Sequence, residues 1–171
     1  MKKRIAAFVC ALMMCMSCAS AGSFTAKDGG ALFTLQYDDA VYQLDRYSYL
    51  GSVMNGTWFG ILYSAQYTID CGAEYTDRGV GMTLRGASTD SYMQAVCSAL
   101  GGQAAEVFNA GGQPFIIVSA MRPGIGEVYY AETIIGGCAV YFEIYDLRTG
   151  VADVNCLTAL KNVLTGFVPL Q

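Results

Sequence analysis

Two strand-like stretches, VYYAETII and CAVYFEIYD, are separated only by Gly136-Gly137, and this arrangement constrains the chain more than any other. Strand side chains alternate between faces, so Cys138, Val140, Phe142 and Ile144 share one face. Ala139, Tyr141, Glu143 and Tyr145 share the other. Paired glycines supply the positive backbone angles that a tight hairpin turn needs. The same layout occurs upstream, where Gly111-Gly112 separates AAEVFNA from PFIIVSAM. Strands joined by hairpins form an antiparallel sheet, and here one face is apolar and must be covered while the other reads as wetter.

The covering elements follow from a different period. Met93, Val96, Cys97 and Leu100 fall at i, i+3, i+4 and i+7 within DSYMQAVCSAL, one face of a helix. Ser88 or Thr89 is placed to cap it and Gly101-Gly102 to stop it. A second helix is expected over about 152–167, with Leu157, Leu160, Val163, Leu164 and Phe167 on its stripe and Cys156 at the edge. Near the start, Phe33-Leu35-Tyr37 and Ala40-Tyr42-Leu44 alternate on either side of Asp38-Asp39, which predicts a first hairpin. Residues 56–69 predict one long bent strand or two strands, with Gly60 as a bulge. The expectation is an α+β fold: an antiparallel sheet packed with two helices in a sandwich-like α/β/α arrangement.

The first 21 residues join Lys2-Lys3-Arg4 to an apolar run and then to small residues, the layout of a secretory signal peptide. Ala19-Ser20-Ala21 fits cleavage before Gly22, and Cys18 after Ser17 offers a lipidated exit instead. Residues 22–30 read as a flexible leader and 31–171 as one domain. Either exit places the mature chain outside the cytoplasmic membrane. Membrane attachment is expected only through a lipid on Cys18.

Without the leader's three basic residues, the chain keeps 7 Lys plus Arg (10 − 3) against 14 Asp plus Glu, a net charge of −7. Nucleic acid, which is bound through Lys and Arg, is excluded as a natural partner. Cys71, Cys97, Cys138 and Cys156 remain after cleavage, either as small core residues or as disulfide partners in three pairings.

The chain has no histidine, so triads and dyads that use an imidazole base are excluded within it. A Ser-Lys dyad would have to use Lys27 in the leader or Lys161 on the second helix. No phosphate-cradling glycine motif occurs, closely spaced metal ligands are missing, and no cofactor or metal is expected. Glu74 with Asp77, or Glu132 with Glu143, could serve carboxylate-dependent hydrolysis, although solvated surface charge is the plainer reading. Asp38, Asp39 and Asp45 are oxygen ligands suited to a hard cation, yet they lack calcium-loop spacing. Tyr129, Tyr141 and Tyr145 project opposite the most apolar faces and form the candidate binding surface.

The opening FTLQYDDAVYQLD, the late strand pair and the closing LTALKNVLTGF together resemble the PsbP-like fold, the family of photosystem extrinsic subunits and many exported bacterial proteins and lipoproteins. Asp38 stands where that opening often has Pro, and Tyr42 near where it often has Trp. The resemblance implies an assembly factor, an extrinsic subunit or a small-GTPase binding partner, and it carries over no functional residue. The functional expectation is therefore an exported, non-enzymatic interaction or accessory domain that binds a protein or cell-envelope component. The alternative is a small carboxylate-dependent extracellular hydrolase.

Overall fold

The computed structural model describes residues 21–28, 30–46, 52–53, 56–74 and 89–170. Strands β1 (Ala21–Asp28) and β2 (Gly30–Asp38) form a small antiparallel sheet that the last strand, β11 (Phe167–Pro169), extends on the far side of β2. The large sheet is built from β3 (Gln43–Asp45), β4 (Ser52–Val53), β5 (Gly56–Tyr63), β6 (Tyr67–Glu74), β7 (Gln103–Ala110), β8 (Gln113–Arg122), β9 (Gly126–Ile135) and β10 (Cys138–Asp146). Its order is β3-β5-β6-β10-β9-β8-β7, with β4 paired on β5. Helix α1 (Thr89–Leu100) precedes β7, and helix α2 (Val154–Leu164) follows β10.

Both glycine-paired hairpins form as the alternation predicts, with Gly111, Gly112, Gly136 and Gly137 all at positive φ. Cys138, Val140, Phe142 and Ile144 are fully packed in the main core. That core lies between the large sheet on one side and α2 with the small sheet on the other. Phe33 is its aromatic centre, with ring centroids 4.9 Å from Phe167, 5.7 Å from Phe59 and 5.8 Å from Phe142. The opposite face of the sheet is covered over β7 and β8 by α1, through Tyr92 and Val96 packed on Ile116, Val118 and Tyr130. Helix α1 ends as expected: Gly101 has φ +62°, and the N–H of Gly102 donates to the Cys97 carbonyl at 3.1 Å. The result is an α+β fold in three layers.

Several expectations change. The first hairpin does not form, because β2 pairs with β1 and β11 while β3 crosses to the large sheet and pairs with β5. The reversal at Asp38 exists: its Oδ1 accepts from the Ala40 N–H at 3.0 Å, and its carbonyl accepts from Tyr42 N–H at 2.9 Å. That compact turn redirects the chain between layers instead of folding it back on itself. Residues 22–30 are not a loose leader, since Phe24 and Ala26 alternate with Ser23 and Thr25 and enter the core as β1. A strand in which only Phe24 and Ala26 are buried is too short a pattern to stand out by period.

The 56–69 stretch resolves into two strands, β5 and β6, whose register shifts between Trp58 and Gly60. Helix α2 is shorter than predicted, starting after the N-cap Asp153 and ending at Leu164. Gly166 follows the helix where the chain meets β2, because a Cβ there would collide with the Gln36 carbonyl oxygen. Its own carbonyl accepts from the Gln36 N–H at 2.9 Å, which delivers Phe167 to the small sheet. The cysteines follow the core reading, with Cys71, Cys138 and Cys156 buried, Cys97 half-buried on the inner face of α1, and none of the four in a disulfide.

Candidate functional site

The face of the large sheet that looks toward α1 carries the charge. Antiparallel register sets Asp70 of β6 directly opposite Glu143 of β10, and Glu143 directly opposite Tyr130 of β9. One pleat further along, Gly72, Tyr141 and Glu132 form the equivalent row. Residues paired in this way place their side chains on the same face, so the sheet gathers three carboxylates and two tyrosines where apolar residues would be expected. Glu132 is fully buried and Glu143 is 1% exposed.

A buried carboxylate persists only if hydrogen bonds replace its lost hydration. Glu132 meets this condition: the Tyr92 hydroxyl donates to Oε1 at 2.8 Å and the Tyr130 hydroxyl to Oε2 at 2.9 Å. Glu143 meets it by half. Its Oε2 pairs with Arg122 Nε at 3.0 Å, while Oε1 is buried with no hydrogen-bond partner among the described residues. Asp70 Oδ1 is in the same position.

The consequence is a group of displaced titrations. Burial, and then the charge of Glu143, pushes Asp70 up to about 6 against the pull of Arg122. Burial also raises Glu143, which Arg122 partly offsets. Tyr130 and Tyr141 are raised by burial first and by the neighbouring carboxylates second, so both phenols stay protonated.

A cavity of about 180 Å³ opens beside these groups, lined by Glu74, Ala99, Leu100, Arg122, Tyr130, Tyr141 and Glu143. The rings of Tyr130 and Tyr141 stack at 5.4 Å with 14° between their planes. Tyr141 lies over Gly72, where a Cβ would meet its hydroxyl at 2.6 Å, so the glycine makes room for the ring. On the other side of the molecule, a larger hollow of about 390 Å³ runs between the Asp38–Tyr42 turn and α2. Its polar lining, apart from Asp38, consists of neutral amides and hydroxyls such as Asn155, Thr158 and Asn162.

The predicted site residues do not converge. Tyr141 lines the cavity, and Tyr145 shares its face opposite Thr68. Tyr129 pairs with Ile144 and packs on the main core, so it points the other way. All three are half-buried, and they do not share one face of the sheet. The wetter face predicted for β10 is instead packed, with Ala139 and Glu143 buried. Glu132 and Glu143 do come together, as diagonal neighbours across β9 and β10.

Of the remaining candidates, Asp77 lies outside the described residues, as do residues 1–20 with the expected signal peptide and Cys18. Asp38 acts in a turn, and Lys161 is ion-paired with Glu106. Sequence reasoning passed over Asp70, Tyr92, Arg122 and Tyr130. The available signal was a carboxylate amid apolar strand residues, which Glu132 and Glu143 gave and which Asp70 in YTIDCGA repeats.

No protein-family model and no curated protein matches the chain. Among solved structures, the chain is similar to the solution structure of cyanobacterial PsbP (CyanoP) from Synechocystis sp. PCC 6803. The likeness has a TM-score of 0.50 at 13% identity and covers 91% of this chain and 95% of that one. With two helices among the described residues packed on antiparallel sheets, the chain has a PsbP-like fold.

Proposed function

We propose that this chain is an exported, non-enzymatic accessory or interaction domain that binds a protein or cell-envelope component. The observation that supports the reading is the likeness to cyanobacterial PsbP along nearly the whole chain, a fold that suggests an accessory or interaction domain. The side chains agree with it. Hydrolysis by paired carboxylates requires both groups to reach one glycosidic bond. Glu132 is instead held beneath the surface by two phenols, and Glu143 is held by Arg122.

The test is mild crosslinking in the native envelope, followed by capture of the chain and identification of attached proteins. Recovery of one reproducible partner supports the reading. Recovery of none, together with release of reducing sugar from envelope polymers that disappears in Asp70→Asn and Glu143→Gln, sinks it. Intact-mass measurement on the same preparation decides the exit: a diacylglycerol on Cys18 means a lipid anchor, and a chain starting at Gly22 means release.

A further inference from the structure

The cavity beside Glu143 contains acceptors that the fold leaves unused. Glu143 is 1% exposed, and its Oε1 lacks a hydrogen-bond partner while its Oε2 is held at 3.0 Å by Arg122. Glu74 lines the same cavity, and Asp70 stands across the strand pair from Glu143. The last residues of α1, Ala99 and Leu100, bring the negative end of the helix dipole to the wall, with no basic residue in that turn to neutralise it. Among the described residues Arg122 is the one basic side chain lining the cavity, and it is already paired with Glu143. A site with surplus acceptors and negative charge selects a cationic donor.

Size and chemistry narrow the cation. A cavity of about 180 Å³ is larger than one ion needs and fits an ammonium group carried on a short alkyl chain. Calcium takes six to eight oxygen ligands, roughly. Among the described residues two carboxylates line this cavity, those of Glu74 and Glu143. An ammonium, by contrast, offers three N–H donors. The Glu143 and Glu74 carboxylates and the Tyr141 hydroxyl are acceptors of the right type among the lining residues, and the stacked Tyr130–Tyr141 pair supplies aromatic surface for the alkyl chain.

We infer that the cavity between the C-terminus of α1 and strands β6, β9 and β10 is a binding site for a primary alkylammonium group, with Glu143 and Glu74 as its anionic anchors. The group belongs either to a free amine or to a lysine side chain of a bound protein. The site goes beyond the accessory role proposed above and stands or falls separately from it.

Titration of the full chain, labelled with ¹⁵N, tests the assignment with pentylamine, pentan-1-ol, Nα-acetyl-lysine N-methylamide and calcium chloride in parallel. Pentylamine is expected to give saturable shifts at the amides of Leu100, Arg122, Tyr130 and Tyr141, with the isosteric alcohol giving none. Glu143→Gln and Glu74→Gln should each weaken the amine about tenfold or more, the loss typical of a charged hydrogen bond. Glu74 lies at the edge of β6 and is half-buried, so Glu74→Gln decides the matter if Glu143→Gln does not fold. Saturation by the lysine derivative supports a protein source, and saturation by pentylamine alone supports a free amine. Equal response to the alcohol, saturation of the same amides by calcium, wild-type affinity in both variants, or no saturable amine binding overturns the inference.

Discussion

Replacing Asp70 by Asn tests whether the charged face of the sheet costs stability at neutral pH. Asp70 has a folded-state pKa of about 6 against an ordinary 3.8, because burial and the facing Glu143 disfavour its anion. The folded chain therefore holds this proton more tightly than the unfolded chain does. The resulting stabilisation is fully present below pH about 4, and it is lost as pH rises through about 6. A displacement of about two units at about 1.4 kcal/mol each sets a ceiling near 3 kcal/mol, and the partial solvent contact of Asp70 lowers the expectation to about 2 kcal/mol.

Asn carries no charge, so it removes the repulsion with Glu143 directly opposite. Asp70→Asn should accordingly raise stability at pH 7 by about 2 kcal/mol, or about 4–8 °C in melting temperature for a domain of this size. At pH 4 the two proteins should unfold together. Urea titrations at half-unit steps from pH 4 to 7.5, with far-ultraviolet circular dichroism as readout, measure the difference directly. A gap that is the same at pH 4 and pH 7, or a variant less stable than wild type at pH 7, would refute the reasoning.

Three further outcomes follow from the same geometry. Tyr130→Phe removes the donor 2.9 Å from Glu132 Oε2 and should cost about 1–3 kcal/mol in urea denaturation, with Phe at the same position keeping the ring that stacks on Tyr141. Phe33→Ala empties the centre of the aromatic core and should cost about 3–5 kcal/mol, read as a fall in the urea midpoint with an unchanged slope. Asp146 is lowered to about 2, first by the Arg148 N–H and then by Gln66, so its contribution is present above pH about 4 and is lost as pH falls through about 2. Asp146→Asn should therefore flatten the acid limb of the stability profile below pH 4 and leave the limb between pH 4 and 6 unchanged.

Much of this fold was legible because local pattern and tertiary burial agree. The hairpins at Gly111-Gly112 and Gly136-Gly137 need positive φ and have it. The apolar stripes of β10 and both helices predict their buried faces with few exceptions. Legibility failed where pairing partners are distant in sequence. The alternation through residues 33–44 is real, but nothing local states that β2 pairs with β11, more than 120 residues away, or that β3 turns to β5. The candidate site failed to show for the same reason. Arg122, Tyr130 and Glu143 lie on three different strands, and only the register brings them to one cavity and sets Asp70 of a fourth strand opposite Glu143.

That register also explains why such a face survives in a small domain. A slip of one residue in β10 would turn Tyr141 and Glu143 into the aromatic core and Phe142 out of it, a far larger penalty than the present arrangement carries. Phe33, Phe115, Phe142 and Phe167, all fully buried, thus pin the strands from one side. Once they are pinned, the opposite face holds its carboxylates wherever the sequence puts them. Glu132 is compensated by two phenols, whereas Glu143 and Asp70 keep acceptors without partners. The uncompensated groups are the ones beside the cavity or directly across from it, and the compensated one is not among its lining. A purely structural buried network gains by satisfying every member, so this uneven distribution marks the cavity, and not the strands beneath α1, as the place where a ligand's donors would complete the structure.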